Sequence, residues 1–180
     1  MKKITLWLLV LSGMVLACQP DQSGDGENEN TGEESSFPAS SNEISDIVTG
    51  IRNGVDTMAE RGPLTVNRGD EIWEVYAFYD NQDPKMLRAI SQGDEQVYYF
   101  VDRRVVQLQE FTNVEDGFVE ERVFLYSDDE VVDAKVRRAA SRLGLEEKRF
   151  SRYKSPYGDE DFRLNVNQVN GSATGFIYGQ

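Results

Sequence analysis

The chain has 180 residues, with 19 Lys and Arg against 32 Asp and Glu; a net charge of −13 argues against wholesale binding to nucleic acid. It holds no His and one Cys, which excludes Ser-His-Asp and Cys-His catalysis, His-ligated metals, CxxC redox chemistry and internal disulfides. Nine Phe, eight Tyr and two Trp still supply a core for one domain, the number this length favours.

At the N-terminus, Lys2 and Lys3 precede an apolar run over residues 4–17, broken only by Thr5, Ser12 and Gly13. Such a run is too short to cross a hydrocarbon core of about 30 Å comfortably as a helix, so residues 1–17 read as an export signal. It ends in Val15-Leu16-Ala17-Cys18, and the sole Cys of the chain stands last. This sequence resembles the bacterial lipobox, the signal-peptidase II motif in which a small residue precedes a Cys that becomes lipidated; Leu16 departs from the smaller residue usual there. The resemblance implies cleavage between Ala17 and Cys18, a diacylglyceryl thioether on Cys18 and attachment to a membrane. At about 0.8 kcal/mol per buried CH₂, two or three acyl chains hold a protein almost permanently. Gln19 stands where an Asp would resemble the inner-membrane retention signal of enteric bacteria. The expected address is therefore the cell envelope, on the outer membrane of a Gram-negative bacterium, with the periplasmic or exposed side left open.

Residues 19–42 contain Asp21, Asp25, Glu27, Glu29, Glu33 and Glu34, no Lys or Arg, and one large apolar residue, Phe37. Nothing there offsets the entropy of ordering the chain, so 18–42 reads as a lipidated Cys followed by an acidic tether. As a flexible coil it reaches roughly 25–30 Å. Residues 43–180 are then left as a single domain, with 26 acids and 17 bases.

That domain opens with Asn42-Glu43 as a cap, then Ile44, Ile47, Val48, Ile51, Val55 and Met58 at helical spacing, stopped by Gly62-Pro63. From residue 70 the period becomes two and the composition turns aromatic and β-branched, which predicts strands over 72–79, 86–91, 96–101, 105–111 and 118–126 joined by short turns. A pattern V-[YF]-x-[FY]-x-D recurs at 75–80, 97–102 and 123–128, one copy per hairpin, each ending at an Asp suited to starting a turn. Aromatic pairs of this kind hold a sheet together; displayed outward, they would stack on sugar rings. Ser127-Asp128-Asp129-Glu130 then reads as a capping box, and Val132, Val136, Ala139, Ala140 and Leu143 as the apolar stripe of a helix ending at Gly144. Residues 148–153, 162–169 and 175–178 read as closing strands. The predicted fold is α+β: an N-terminal helix, an antiparallel aromatic-rich meander of about 5–7 strands, and a second helix packed on the sheet.

One stretch departs from the acidic balance. Residues 135–154 hold eight bases and two acids, and on the predicted helix Lys135, Arg138 and Arg142 share a face. With Lys148, Arg149 and Arg152, and with Phe150, Tyr153 and Tyr157 among them, they form a candidate anion-binding set. The bland alternative is a solvated face paired with the domain's own acids. The acid clusters Asp80/Asp83, Asp128/Asp129/Glu130 and Asp159/Glu160/Asp161 match no calcium-loop pattern, and turns and caps attract Asp for backbone reasons alone. No catalytic residue, metal or cofactor is assigned. The sequence thus predicts a lipid-anchored envelope protein with a non-catalytic binding or scaffolding role towards an envelope protein. The first alternative is a binder of an anionic lipid or glycan through 135–154; the second is a carboxylate-based hydrolase.

Overall fold

A computed structural model describes residues 37–114, 117–128 and 130–179. Ala17, Cys18 and most of the acidic tether lie outside the described residues. The described chain belongs to one compact unit, Ser35–Gln180. Order begins ahead of the boundary read from composition: Phe37 is buried, and Ser127 Oγ donates to the Pro38 carbonyl at 2.7 Å.

Helix α1 (Ser41–Gly54) continues into a 3₁₀ turn at Val55–Thr57. Its cap is Ser40, whose hydroxyl accepts from the Glu43 amide, while the Glu43 carboxylate accepts from the Ala39 amide. Eight strands follow: β1 (Ala59–Arg68), β2 (Glu71–Asp80), β3 (Asp83–Ser91), β4 (Asp94–Val101), β5 (Arg104–Val114), β6 (Phe118–Ser127), β7 (Glu130–Ala139) and β8 (Ser151–Arg152). They form one antiparallel sheet in sequence order, and helix α2 (Val166–Tyr178) closes the fold.

Because side chains alternate along a strand, each strand feeds two cores. On one side Val75, Leu87, Tyr98, Phe100, Phe124 and Tyr126 pack under α2, whose Phe176 ring lies 5.4 Å from Trp73 and 6.2 Å from Tyr98. On the other, Met86, Val97, Tyr99, Val106, Val123 and Leu125 pack under Ile44, Val48 and Ile51 of α1. The recurring aromatic strands are therefore core on both sides of the sheet. Burying each such large side chain contributes roughly 1.5–3 kcal/mol.

The three copies of the V-[YF]-x-[FY]-x-D pattern fall on β2, β4 and β6. Asp102 and Arg103 both take positive φ, as do Asn81 and Gln82, the backbone that two-residue hairpins of right-handed twist require. Each hairpin then carries a register shift just past its turn, leaving Lys85, Val106 and Val132 as the extra residue of β3, β5 and β7.

Four expectations are corrected. The helix expected over 127–144 is strand β7: Ser127 and Glu130 are the closing pair of a turn that begins at Asp128 (φ 46°), and Glu120 and Glu121 lie opposite Arg138 and Arg137. Opposite charges across a hairpin favour a strand where local spacing alone suggests a helix. Residues 166–169 and 175–178, read as strand, belong to α2. Val166, Val169, Ala173 and Phe176 are its buried face, the Asn165 side chain accepts from the Gln168 amide, and Gly179 (φ 70°) caps the end. Gly and β-branched residues hid this helix, whose stability comes from packing rather than propensity. Strand β1 replaces the expected stop at Gly62-Pro63. That cis peptide sits in an edge-strand bulge between Arg61 and Leu64, a position where a Pro without an N–H is tolerated. The sheet accordingly has eight strands, not 5–7.

Candidate functional site

The basic stretch is placed by β7, a connection with a 3₁₀ turn at Leu143–Leu145, and the short β8. The helix face of Lys135, Arg138 and Arg142 does not exist. Residues three apart in a strand point to opposite sides, so Lys135 and Arg138 separate, and Arg142 lies beyond the strand. The Arg138 guanidinium stands 4.6 Å from the Phe118 ring centroid. Arg142 reaches back to Glu95 and covers the Phe111 ring at 3.8 Å. Lys135 stands 3.7 Å from the Asp133 carboxylate and 5.2 Å from the Phe150 ring centroid.

Four cations remain. Lys148, Arg149, Arg152 and Lys154 are exposed, and their side chains carry no ion pair or hydrogen bond among the described residues. Arg152 lies in register with Lys135, which returns two members of the sequence-derived set to one place. Beside them a groove of about 690 Å³ runs along β7, with Val131, Val132, Phe150 and Leu164 as apolar lining and Ser151 and Ser155 as hydroxyls. Val132, Phe150 and Leu164 are 40%, 37% and 37% exposed. The outer side of β7 is covered only in part. β8 pairs with Lys135 and Val136, Tyr153 N–H donates to the Ala134 carbonyl at 2.8 Å, and among the described residues no strand pairs with 130–133 on that side.

The acids that could have done chemistry are committed elsewhere. Under α1, Glu121 accepts from Gln109 at 2.6 Å and from Arg137 at 2.5 Å, and Arg52 donates to both Tyr99 and Gln109. Glu95 is held by Arg88 and Arg142. Burial works to raise its pKa, but these two guanidiniums outweigh it and hold the carboxyl below the usual range. Under α2, Glu110 faces Arg163 at 2.7 Å and Arg122 at 3.8 Å and accepts from Gln96 at 3.1 Å. The Arg163 contact is an ion pair without hydrogen-bond alignment. Burial pushes the Glu110 carboxyl up despite both arginines. Asp161 shares Arg163 and accepts from the Tyr153 hydroxyl at 2.7 Å. Although burial acts to raise it, these bonds hold it below the usual range.

None of Glu95, Glu110, Glu121 and Asp161 lines the groove. Among the described residues no group of three or more Cys, Asp or Glu is placed to hold a metal ion, and no helix is long and apolar enough to cross a membrane. Which bases are free and which are paired was not legible in the sequence, because the answer depends on strand register. The register of Lys135 with Arg152 had no local signal. Searches against protein-family models, curated proteins and solved structures find no match.

Proposed function

We propose that the chain is a lipid-anchored envelope protein whose α+β domain is a non-catalytic binding module, engaging an acidic envelope protein at the β7–β8 rim. One observation carries this reading: Arg152, exposed and without an ion pair or side-chain hydrogen bond among the described residues, lines a groove with apolar walls beside Lys135, with the exposed Lys148, Arg149 and Lys154 close to it in sequence, in a domain otherwise acidic in composition. The buried acids support it too, since each is neutralised by Arg or hydrogen-bonded and lies away from the groove. The anchor rests on the lipobox-like Val15-Leu16-Ala17-Cys18.

Two measurements test the reading. A photo-crosslinker at Arg152 is expected to capture an envelope protein in cells, with a yield that falls steeply with salt and with Arg149→Ala, whereas the same group at Ile72, on β2, captures none. Equal capture from both positions refutes the rim; recovery of lipid or glycan alone assigns it to that ligand class instead. Labelling with an alkynyl fatty acid is expected to mark the wild-type chain and not Cys18→Ala, and equal labelling of both refutes the anchor.

A further inference from the structure

We infer that the rim takes an extended acidic polypeptide segment, added as a further strand on the outer side of β7; this rests on the reading of the rim as a binding surface. An edge strand presents unpaired N–H and C=O groups, and a partner strand that satisfies them gains affinity from its backbone and specificity from alternate side chains. Three observations converge on β7. Among the described residues, 130–133 have no strand partner on that side, and the short β8 stops at Ser151–Arg152. Five consecutive β7 residues, 131–135, line the groove, so it follows the strand direction as an extended chain would. The basic residues Lys135 and Arg152 stand side by side at its end, with Lys154 beyond, so acidic side chains two apart on one face of an added strand would meet them.

Asp133 also lines the groove and is paired with Lys135 at 3.7 Å, so Arg152 and Lys154 carry the charge complementarity, and the uncharged lining fits the same occupant. Val132 and Leu164 offer apolar contact to the alternate residues of the segment, and Ser151 and Ser155 offer hydroxyls. A flat bilayer would touch the rim but not the groove behind it. The opposite edge is a useful contrast. Among the described residues β1 also has no strand on its outer side, yet Pro63 lacks an N–H and sits in the bulge between Arg61 and Leu64, and the Arg61 guanidinium is stacked on Tyr79 at 4.6 Å. An edge built that way resists addition.

The test uses the purified full chain and three fluorescein-labelled ten-residue peptides: alternating Glu-Val, the same peptide N-methylated at every second residue, and alternating Lys-Val. Anisotropy should show Glu-Val binding at least tenfold tighter than either of the others, weakening tenfold or more in Arg152→Glu and in Arg149→Glu, which lies outside β8. Hydrogen exchange of the amides of 130–134 should slow when Glu-Val is bound. If the N-methylated peptide binds as well as its parent, strand addition is overturned while the rim reading survives. If neither Glu substitution weakens Glu-Val, or Lys-Val binds equally, the rim reading falls as well. Vesicles of phosphatidylglycerol that bind in an Arg149-dependent way while Glu-Val leaves exchange unchanged overturn the inference in favour of a membrane surface.

Discussion

The two sides of the sheet solve one problem in different ways. Each buries carboxylates, but the α2 side gathers Glu110 and Asp161 around one shared cation, Arg163, whose side chain is 13% exposed, with Arg122 beside Glu110 alone. The α1 side distributes Glu121 and Glu95 over Arg137, Arg88 and Arg142, which keep contact with water at 18%, 45% and 51% exposure. The two glutamates shift in opposite directions. Glu110 is so enclosed that burial raises its carboxyl even beside two arginines, whereas Glu95, with half-wet arginines, is held low. A cation that serves two buried acids is a point of failure, and a set of separate pairs at the rim degrades by parts.

Removal of Arg163 should cost the most. Arg163→Met leaves Glu110 and Asp161 facing each other's charge with only Arg122, Gln96 and Tyr153 near, and it should cost about 3–5 kcal/mol by urea denaturation. A loss below about 1 kcal/mol would show that the α2 cluster is not centred on this residue. On the α1 side the same operation is milder. Arg137→Ala leaves Glu121 with the Gln109 amide as a remaining donor, and about 1–3 kcal/mol is expected. The double change Arg137→Met with Glu121→Gln should recover part of that, because no buried charge is then left unpaired.

How much of this was legible in the sequence differs by element. The strands β2 to β6 were, because period two in aromatic and β-branched residues reports burial on both faces directly. The third V-[YF]-x-[FY]-x-D copy also contained β7: two earlier copies turn at their Asp into the next strand, and the third does the same at Asp128. The capping-box reading of 127–130 prevailed only because it is local, whereas the evidence against it lies in β6, whose Glu120 and Glu121 match Arg138 and Arg137. Helix α2 was hidden for the opposite reason. Its buried residues are correctly spaced, but Gly171 and Gly175 and the β-branched Val166, Val169 and Ile177 lower its intrinsic propensity. For the candidate site, the basic composition of 135–154 was plain, while the division between structural and free bases was not. Arg142 is tied to Glu95, far away in sequence, and only the register reveals it.

Titration should separate Glu95 from Glu110 by sign. Glu95 has a folded pKa below its unfolded one, so its contribution is present above the ordinary glutamate range and is lost as pH falls through the folded value. Glu110 has a folded pKa above its unfolded one, so its contribution is complete below the ordinary range and is lost as pH rises through the folded value. Urea unfolding across pH should therefore show wild type losing ground to Glu95→Gln on acidification and losing ground to Glu110→Gln on neutralisation. Slopes of the same sign would contradict the contrast between Glu95 and Glu110.

The smallest expected effect decides what the basic residues are for. Arg142 and Arg149 are both exposed, both in the basic stretch, and indistinguishable by composition. Arg142 is bound to Glu95 and covers Phe111, so Arg142→Ala should cost about 0.5–1 kcal/mol, limited by its contact with solvent, and should leave capture at the rim unchanged. Arg149 has no side-chain partner among the described residues, so Arg149→Ala should change stability by less than about 0.5 kcal/mol while reducing capture at the rim. The pair of variants thus exchanges its ranks between the two readouts, stability and binding. If Arg142→Ala weakened capture as much as Arg149→Ala, the division between structural and recognising bases would be wrong, and the whole basic stretch would act as one diffuse field.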